Sequence, residues 1–162
     1  MPAGLQFERT ILVHATPERV LEAFFNPHDL AEWWQVVRSV TVPRPLGTYA
    51  IEWASTELRD GLLGRLGGAF HGTVMEYRAG RECFVADAYW SPPEGDPIGP
   101  MAMEVRCWPE GEDGVTKLVV RQSAEDDGPR WRRYFEIVAA GWTQALSDLK
   151  QHLETEAVRH TR

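Results

Sequence analysis

One histidine in the sequence has a setting in which it could transfer a proton. His71 lies two residues before Thr73 in a predicted strand, and Tyr49 lies in a strand predicted upstream of it. An imidazole beside hydroxyl groups can give a proton to a bound carbonyl compound or take one from it. The alternative is a buried structural histidine held by hydrogen bonds, which is the more common situation. No motif decides between the two, so we predict no catalytic residue.

The sequence lacks the motifs of the common metal, nucleotide and hydrolase sites. It has no His-Glu-x-x-His, no Cys-x-x-Cys, no phosphate-binding glycine loop and no Gly-x-Ser-x-Gly. Acidic residues cluster in two predicted loops without the spacing of a calcium-binding loop, so we expect them to be solvated. We therefore predict no metal and no cofactor. The acidic residues are Glu110, Glu112, Asp113 and residues 125–127.

Seven tryptophans are the most unusual feature of the composition. Large flat side chains either fill a core or line a cavity for an apolar ligand. After Pro129, apolar residues recur at steps of three or four, which predicts one stripe of a long amphipathic helix. For any one aromatic residue of this stripe, core packing is the more common role. The stripe consists of Trp131, Phe135, Val138, Trp142, Ala145, Leu149 and Leu153.

The beginning of the chain predicts one strand over residues 5–15 and then two short helices. Thr16-Pro17 begins the first helix, since a hydroxyl can cap free backbone N–H groups and proline is tolerated at the first helical position. Asn26-Pro27 separates the two helices. The second helix carries Trp33-Trp34, whose rings we expect to point in different directions, one into the core and one to a surface or cavity mouth.

From residue 36 onward the apolar period is two, and Gly and Pro recur at short intervals, which predicts antiparallel strands. Residues 54–68 and 91–100 are predicted loops, and either could gate an opening. The element order predicts an α+β fold in which a curved antiparallel sheet grips the terminal helix. The predicted strands cover residues 36–42, 48–53, 69–78, 82–90, 101–108 and 115–123.

Length, charge and cysteine content limit the class of protein. The 162 residues predict a single domain over residues 1–162 with its core over 5–155. A net charge of −7 gives no attraction to phosphate backbones, so we expect no nucleic-acid partner. There is no apolar run of about 18 residues and no signal-peptide pattern at the start, which predicts a cytoplasmic protein without membrane insertion. Cys83 and Cys107 are expected to be reduced core thiols.

Several short motifs occur in the order and spacing of a known superfamily. The segment ILVHATPERV, which begins at Ile11, is followed by Asn26-Pro27 and Trp33-Trp34. This opening resembles SRPBCC (START-like) domains of the type of the activator of heat-shock-protein-90 ATPase homologues. Gly47-Thr48-Tyr49, the GTVME segment at residues 72–76 and Gly141-Trp142 extend the resemblance over nearly the whole chain.

The resemblance implies a helix-grip fold, which is also called START-like or Bet v-like. Such a fold has a cavity between the sheet and the terminal helix, and in this superfamily the cavity commonly takes lipids, polyketides or other apolar molecules. Fold alone does not identify the ligand.

Strand registers then predict which side chains face this cavity. Closing a hairpin with the 91–100 loop pairs Ala88 with Met103 and puts Cys83 and Cys107 on opposite faces. The next strand is predicted to pair Met103 with Val120. A turn at Ala79-Gly80 would place His71, Thr73 and Met75 inward, beside Ala86 and Ala88, although Phe70 and Val74 on the opposite parity are also apolar. The candidate binding residues are Trp34, Tyr49, Trp53, His71, Thr73, Met75, Ala86, Ala88, Met103, Val120, Tyr134, Val138 and Trp142.

Three functions are compatible with these observations. The first is binding of a small apolar or amphipathic molecule without catalysis, and the second is an enzyme, such as a cyclase or aromatase, acting on such a molecule. The third is a co-chaperone that stimulates a heat-shock ATPase, which only the family resemblance implies. A homodimer formed through an exposed strand or aromatic surface is a further expectation.

Overall fold

The computed structural model describes residues 4–111 and 114–160 of the chain. A seven-stranded antiparallel sheet curves around one long C-terminal helix, and two short helices follow the first strand. The predicted α+β helix-grip fold is therefore confirmed. Its elements are β1 (Leu5–Val13), α1 (Pro17–Glu22), α2 (Pro27–Trp34), β2 (Val36–Thr41), β3 (Thr48–Trp53), β4 (Arg59–Asp60), β5 (Gly64–Arg65), β6 (Gly68–Arg78), β7 (Glu82–Ser91), β8 (Ile98–Pro109), β9 (Thr116–Ala124) and α3 (Pro129–His160).

The large sheet has the strand order β1-β9-β8-β7-β6-β3-β2, and every neighbouring pair is antiparallel. Helix α3 packs against β1 and α2, and its apolar stripe joins the inward side chains of the strands in one core. The strands β4 and β5 form a separate two-stranded hairpin within the stretch predicted as a loop. None of the described helices is long and apolar enough to cross a bilayer.

The first short helix begins after Thr16 as predicted, whereas the second begins already at Pro27, with Asn26, which was expected only to separate the helices, as its capping residue. The side-chain oxygen of Thr16 accepts from the Arg19 backbone N–H at 3.2 Å, and Pro17 follows directly. In the same way, Asn26 Oδ1 accepts from the backbone N–H groups of His28 and Asp29. These side chains satisfy donors that the first helical turn leaves free.

A β-bulge in β7 overturns part of the predicted register. The pairing with β8 shifts between Val85 and Ala88, and Asp87 there has a φ of 51°. Ala88 pairs with Met101 and Val85 pairs with Met103, so the predicted pairing of Ala88 with Met103 is wrong. Because one extra residue reverses the side-chain alternation, Val85 rather than Ala86 points inward before the bulge.

The pairing of β8 with β9 is also offset from the prediction. Met103 lies opposite Gln122, and Val105 lies opposite Val120. The offset is two residues, so the inward and outward faces of both strands are as predicted. The shift changes only which residues lie opposite each other, so that Gln122, which is on the inward face in either register, lies opposite Met103.

Both cysteines are buried free thiols, as predicted, but their placement on opposite faces is wrong. Cys83 and Cys107 are 1% and 4% exposed, and both belong to the core under α3. Burial raises the pKa of each thiol to about 12. Neither is a thiolate near neutral pH, so neither is an activated nucleophile.

An ionic cluster ties the C-terminal half of α3 to α1 and α2. Asp29 is 2% exposed and accepts from two Arg19 nitrogens at 2.7 and 2.8 Å and from His152 Nε2 at 2.8 Å. Glu156 accepts from the same guanidinium at 2.8 and 3.0 Å. Burial acts to raise the pKa of Asp29, but the hydrogen bonds from Arg19 and His152 outweigh it and hold that pKa below its ordinary value. His152 is thus part of a structural contact between α3 and α2.

Two residues of the predicted acidic loops, Glu112 and Asp113, lie outside the described residues. Within the described part of the chain, no group of three His, Cys, Asp or Glu side chains is placed to hold a metal ion.

Candidate functional site

A cavity of about 570 Å³ lies between the sheet and α3. It is bounded by the end of α2, the strands β3 and β6 to β9, the β4–β5 hairpin and one face of α3. Most of the side chains around it are aromatic or aliphatic. The lining residues are Trp33, Trp34, Gln35, Trp53, Ala54, Thr56, Leu63, Leu66, Gly67, Phe70, Trp90, Met103, Gln122, Tyr134, Ile137, Val138, Gly141, Trp142, Gln144, Ala145 and Asp148.

Five of the seven tryptophans line this cavity. The rings of Trp33 and Trp34 stack at 4.8 Å with an angle of 10°, so they do not point in different directions, but Trp33 is buried in the core and half-buried Trp34 lies at the cavity, as expected. Trp34 also contacts Trp142 at 4.7 Å and Trp53 at 5.4 Å between ring centroids. Rings that pack on one another in this way form a rigid aromatic wall, because each ring limits the rotation of the next.

The ends of this wall are fixed by hydrogen bonds from the indole groups to the backbone. Trp33 Nε1 donates to the carbonyl of Ala23 at 2.9 Å, and Trp53 Nε1 donates to the carbonyl of Trp34 at 3.0 Å. Trp90 Nε1 donates to the carbonyl of Gly67 at 2.8 Å. The aromatic faces are therefore held in place before any ligand arrives.

One buried polar group interrupts the apolar wall. Gln122 is 3% exposed, and its Oε1 accepts from Trp142 Nε1 at 3.0 Å. Its Nε2 lies 3.5 Å from the hydroxyl of Tyr134 and 3.2 Å from the sulfur of Met101. A buried amide is costly unless it is hydrogen-bonded, and this network supplies its partners.

Tyr134 is the hydroxyl-bearing side chain of this polar end. It is 5% exposed, and its ring stacks on Trp90 at 5.2 Å. Burial raises its pKa above the ordinary value, and the hydrogen bond with Gln122 only partly opposes this. The hydroxyl therefore keeps its proton at neutral pH and can donate a hydrogen bond, but it is a poor base.

The β4–β5 hairpin covers one side of the cavity. Leu63 within it is 3% exposed and lines the cavity, and Asp60 accepts from Arg133 Nε on α3 at 2.6 Å. That hydrogen bond lowers the pKa of Asp60. Gly67 and Gly68 end the hairpin with φ values of 112° and 87°, and a Cβ at either position would collide with backbone. The hairpin is thus tied to the helix at one end and turns on two glycines at the other.

The cavity is bordered by the 54–68 stretch rather than by the second predicted loop. Ala54, Thr56, Leu63, Leu66 and Gly67 line it, whereas the lining includes no residue of the stretch 91–100. A rim of amides and one carboxylate completes the opening, where Gln144 Nε2 donates to Asp148 Oδ1 at 3.0 Å.

Six of the thirteen candidate binding residues line the cavity. These six come from α2, β3, β8 and α3, so elements far apart in sequence converge here. They are Trp34, Trp53, Met103, Tyr134, Val138 and Trp142.

Four candidates lie on the wrong face of the sheet. His71 is exposed and stacks near Tyr89, with Nε2 3.1 Å from Ser91 Oγ. Met75 is 46% exposed. Inward positions of β6 are held by Phe70 and Val74, the parity that the prediction set aside. The predicted inward placement is therefore wrong for His71, Thr73, Met75 and Ala86.

Three candidates face inward but pack in the core instead of lining the cavity. Tyr49 is fully buried, and its hydroxyl donates to the carbonyl of Phe24 at 2.8 Å. Ala88 and Val120 are also fully buried and make no part of the lining. The predicted polar end at His71 and Thr73 is thus replaced by one at Gln122 and Tyr134.

The sequence reasoning did not select several lining residues. Phe70 and Trp90 carried a usable signal, since each is a large aromatic residue within a strand. Leu63 and Leu66 lie in the stretch 54–68, which was predicted to be a loop. Gln122 could have been found, because it continues the inward alternation predicted for Thr116, Leu118 and Val120.

A family model described as "Polyketide cyclase / dehydrase and lipid transport" matches residues 5–156. The chain belongs to this family. The match confirms the START-like superfamily that the motifs indicated, whereas the comparisons do not confirm the narrower resemblance to activators of the heat-shock-protein-90 ATPase. Among curated proteins, none matches the sequence.

Several solved structures have a similar fold and superpose on most of the chain. Protein MLL2253 from Mesorhizobium loti has a TM-score of 0.69 at 20% identity, covering 93% of this chain and 98% of its own. CalU16 from Micromonospora echinospora has a TM-score of 0.63 at 16% identity, covering 96% and 80%. DynU16, from the dynemicin biosynthetic locus, has a TM-score of 0.62 at 19% identity, covering 93% of this chain and 48% of its own. These superpositions establish a shared fold, and at such low sequence identities they establish nothing about function.

Proposed function

We propose that the protein binds a small, mostly apolar molecule with a flat ring system in the cavity under α3. The observation that carries this proposal is the preorganised wall formed by Trp33, Trp34, Trp53, Trp90 and Trp142 around a space of about 570 Å³. Ligand sites of proteins are typically apolar clefts of about 300 to 1,000 Å³ with a few fixed polar groups. Both features are present here.

Plain core packing does not account for this space. Protein interiors are packed about as densely as organic crystals, and they contain few voids larger than a water molecule. This space also opens to solvent, so part of its apolar wall faces water. A ligand that fills the space would remove that apolar surface from water, which is favourable.

The absence of cationic side chains from the described lining favours a neutral ligand over an anionic one. No lysine, arginine or histidine is among the described residues that line it, and Asp148 at the rim is its one charged residue. A ligand with a buried carboxylate or phosphate would find no cation to pair with, which is costly in an apolar site. The proposal is therefore a neutral ligand rather than an anionic lipid.

An enzyme acting on such a ligand, for example a cyclase or aromatase, is the second candidate. The observation in its favour is the hydroxyl of Tyr134, which Gln122 holds at the cavity and which could polarise a bound carbonyl group. The role considered for His71 is not part of it, because His71 lies on the outer face of the sheet. The co-chaperone hypothesis has only the sequence resemblance in its support, and its test is the rate of a purified heat-shock ATPase with and without this protein.

The binding proposal is tested with 1-aminoanthracene, a neutral fluorescent molecule with three fused rings. We expect saturable binding with energy transfer from tryptophan, and a reduced affinity in Trp34→Ala. The matched control is Trp108→Ala, which removes a 42% exposed tryptophan on the outer face and is expected to leave the affinity unchanged. Absence of saturable binding, or equal loss in both variants, would contradict the proposal.

A further inference from the structure

We propose that the hydroxyl of Tyr134 selects ligands that carry a hydrogen-bond acceptor, such as a ketone or quinone carbonyl. This inference rests on the proposed binding function and specifies the chemistry of its ligand. It depends on which hydrogen-bonding groups of Gln122, Tyr134 and Trp142 have partners within the protein and which do not.

The amide of Gln122 can be oriented from its partners. An indole N–H is a donor only, so the amide atom 3.0 Å from Trp142 Nε1 must be the oxygen. The NH₂ group of Gln122 therefore faces Tyr134 and Met101. Both ends of this amide are occupied by protein groups.

The same orientation fixes the role of the Tyr134 oxygen. Since the Gln122 NH₂ group is a donor, the hydroxyl oxygen of Tyr134 accepts from it, at 3.5 Å. The O–H proton of Tyr134 has no acceptor among the described residues. Tyr134 is 5% exposed and lines the cavity, so this donor is nearly withdrawn from solvent.

An unused donor in such a position is unfavourable unless something accepts from it. Leaving a buried donor without a partner costs free energy, and proteins rarely do so. Four of the five lining tryptophans already donate their indole N–H to protein acceptors. The fifth, Trp34, is half-buried and is not among the described residues with a fully buried unpaired nitrogen.

The acceptor must come from inside the cavity. A ligand carbonyl lying over the Trp90 face could accept from Tyr134, whose ring is stacked on Trp90 and cannot easily turn away. A ligand that presents a donor at this position, such as an ammonium group, would place donor against donor. The polar end therefore discriminates between ligands of similar shape.

The test uses two ligands of nearly the same shape, 2-acetylnaphthalene and 2-isopropenylnaphthalene. The second replaces the carbonyl oxygen of the first with a CH₂ group. The quantity measured is the ratio of their two affinities, obtained by tryptophan fluorescence in the wild-type protein, in Tyr134→Phe and in Tyr49→Phe. The Tyr49 variant is the matched control, because it also removes a buried hydroxyl, one that donates to Phe24 outside the cavity.

We expect Tyr134→Phe to shift the ratio about 3- to 10-fold against the ketone, which is the range of a single hydrogen bond. Tyr49→Phe should leave the ratio unchanged. The infrared C=O stretch of the bound ketone should also lie lower in the wild type than in Tyr134→Phe. A ratio and a stretch that Tyr134→Phe leaves unchanged, with both ligands bound, would overturn this inference and leave the binding function standing. Failure of both naphthalenes to bind would overturn the binding function and this inference with it.

Discussion

The two halves of α3 differ in what lies beneath them. The first half, through Tyr134, Val138 and Trp142, lies over the cavity, with aromatic rings that border space. Along the second half, Leu149 and Leu153 are at most 1% exposed and pack in a closed core. One helix thus covers an open region and a filled region in succession.

The kind of polar contact differs in the same way. The second half is held by ion pairs and hydrogen bonds, since Glu156 and His152 join the buried cluster around Asp29, and Lys150 donates to the carbonyl of Leu12 at 2.8 Å. The first half also has an ion pair, between Arg133 and Asp60, outside the cavity lining, and towards the cavity it carries the neutral network of Gln122, Tyr134 and Trp142. Charged contacts that are fully partnered hold the fold, whereas the neutral network retains one unused donor.

The difference indicates that stability and ligand binding are carried by separate parts of one element. Substitutions beneath the second half should lower the free energy of unfolding and leave ligand affinity almost unchanged in the folded protein. Substitutions facing the cavity should do the reverse.

The largest effect is expected for Asp29→Asn. It removes the charge at the centre of the ionic cluster, so that His152 loses its carboxylate partner and Arg19 keeps only Glu156 from the cluster. The free energy of unfolding should therefore fall by about 3 kcal/mol. Chemical denaturation measures this, and 1-aminoanthracene titration of the folded variant should give the wild-type affinity. A large loss of ligand affinity at unchanged stability would contradict the proposal that the two halves of α3 carry stability and ligand binding separately.

The pH dependence of the same variant sharpens this prediction. Because the folded-state pKa of Asp29 is lowered, its contribution to stability is present above the ordinary carboxyl pKa and is lost as the pH falls through the lower, folded value. The stability difference between wild type and Asp29→Asn should therefore shrink as the pH falls below about 4. Glu52→Gln, which removes an exposed surface pair with Arg38, is the control and should change stability little.

For Gly141→Leu we expect a smaller effect, in which ligand affinity falls and the stability of the fold does not. Gly141 lies in α3 at the cavity, and a Cβ there would meet no atom within 4 Å. Either Leu or Ala should raise stability by up to about 1 kcal/mol, because glycine is a poor helix former. The Leu side chain should also occupy part of the cavity and weaken 1-aminoanthracene binding about tenfold, a loss of about 1.4 kcal/mol.

Gly141→Ala is the matched control for this prediction. It makes the same change of helix propensity with little added volume, so it should stabilise the fold and keep most of the affinity. Equal affinities of the Leu and Ala variants would show that the ligand does not lie beside Gly141.

The fold could be predicted from the sequence because its signals are local. Thr16-Pro17, Asn26-Pro27 and the stripe after Pro129 each mark a helix through capping or periodicity. The alternation along the strands marks the sheet, and turn residues separate the strands. These signals depend on neighbours within a few residues, and the predicted helices and strands are confirmed, although β8 begins at Ile98 within one predicted loop and β4 and β5 form a hairpin within the other.

The site could be predicted only in part because cavity placement depends on registers between strands. The bulge at Asp87 moved Ala86 to the outer face, and two apolar parities in β6 made the choice of His71 over Phe70 wrong. Residues on α3 were placed correctly, since helical periodicity needs no partner strand. The cytoplasmic location and the homodimer stay predictions.

The most direct test of the central claim is an NMR titration of the indole N–H signals with 1-aminoanthracene. The seven signals can be assigned by single Trp→Phe substitutions. Ring-current shifts should appear for Trp34, Trp53 and Trp142, which line the cavity, and not for Trp108 on the outer face. Shifts confined to Trp108, or no shift at saturating ligand, would contradict the account.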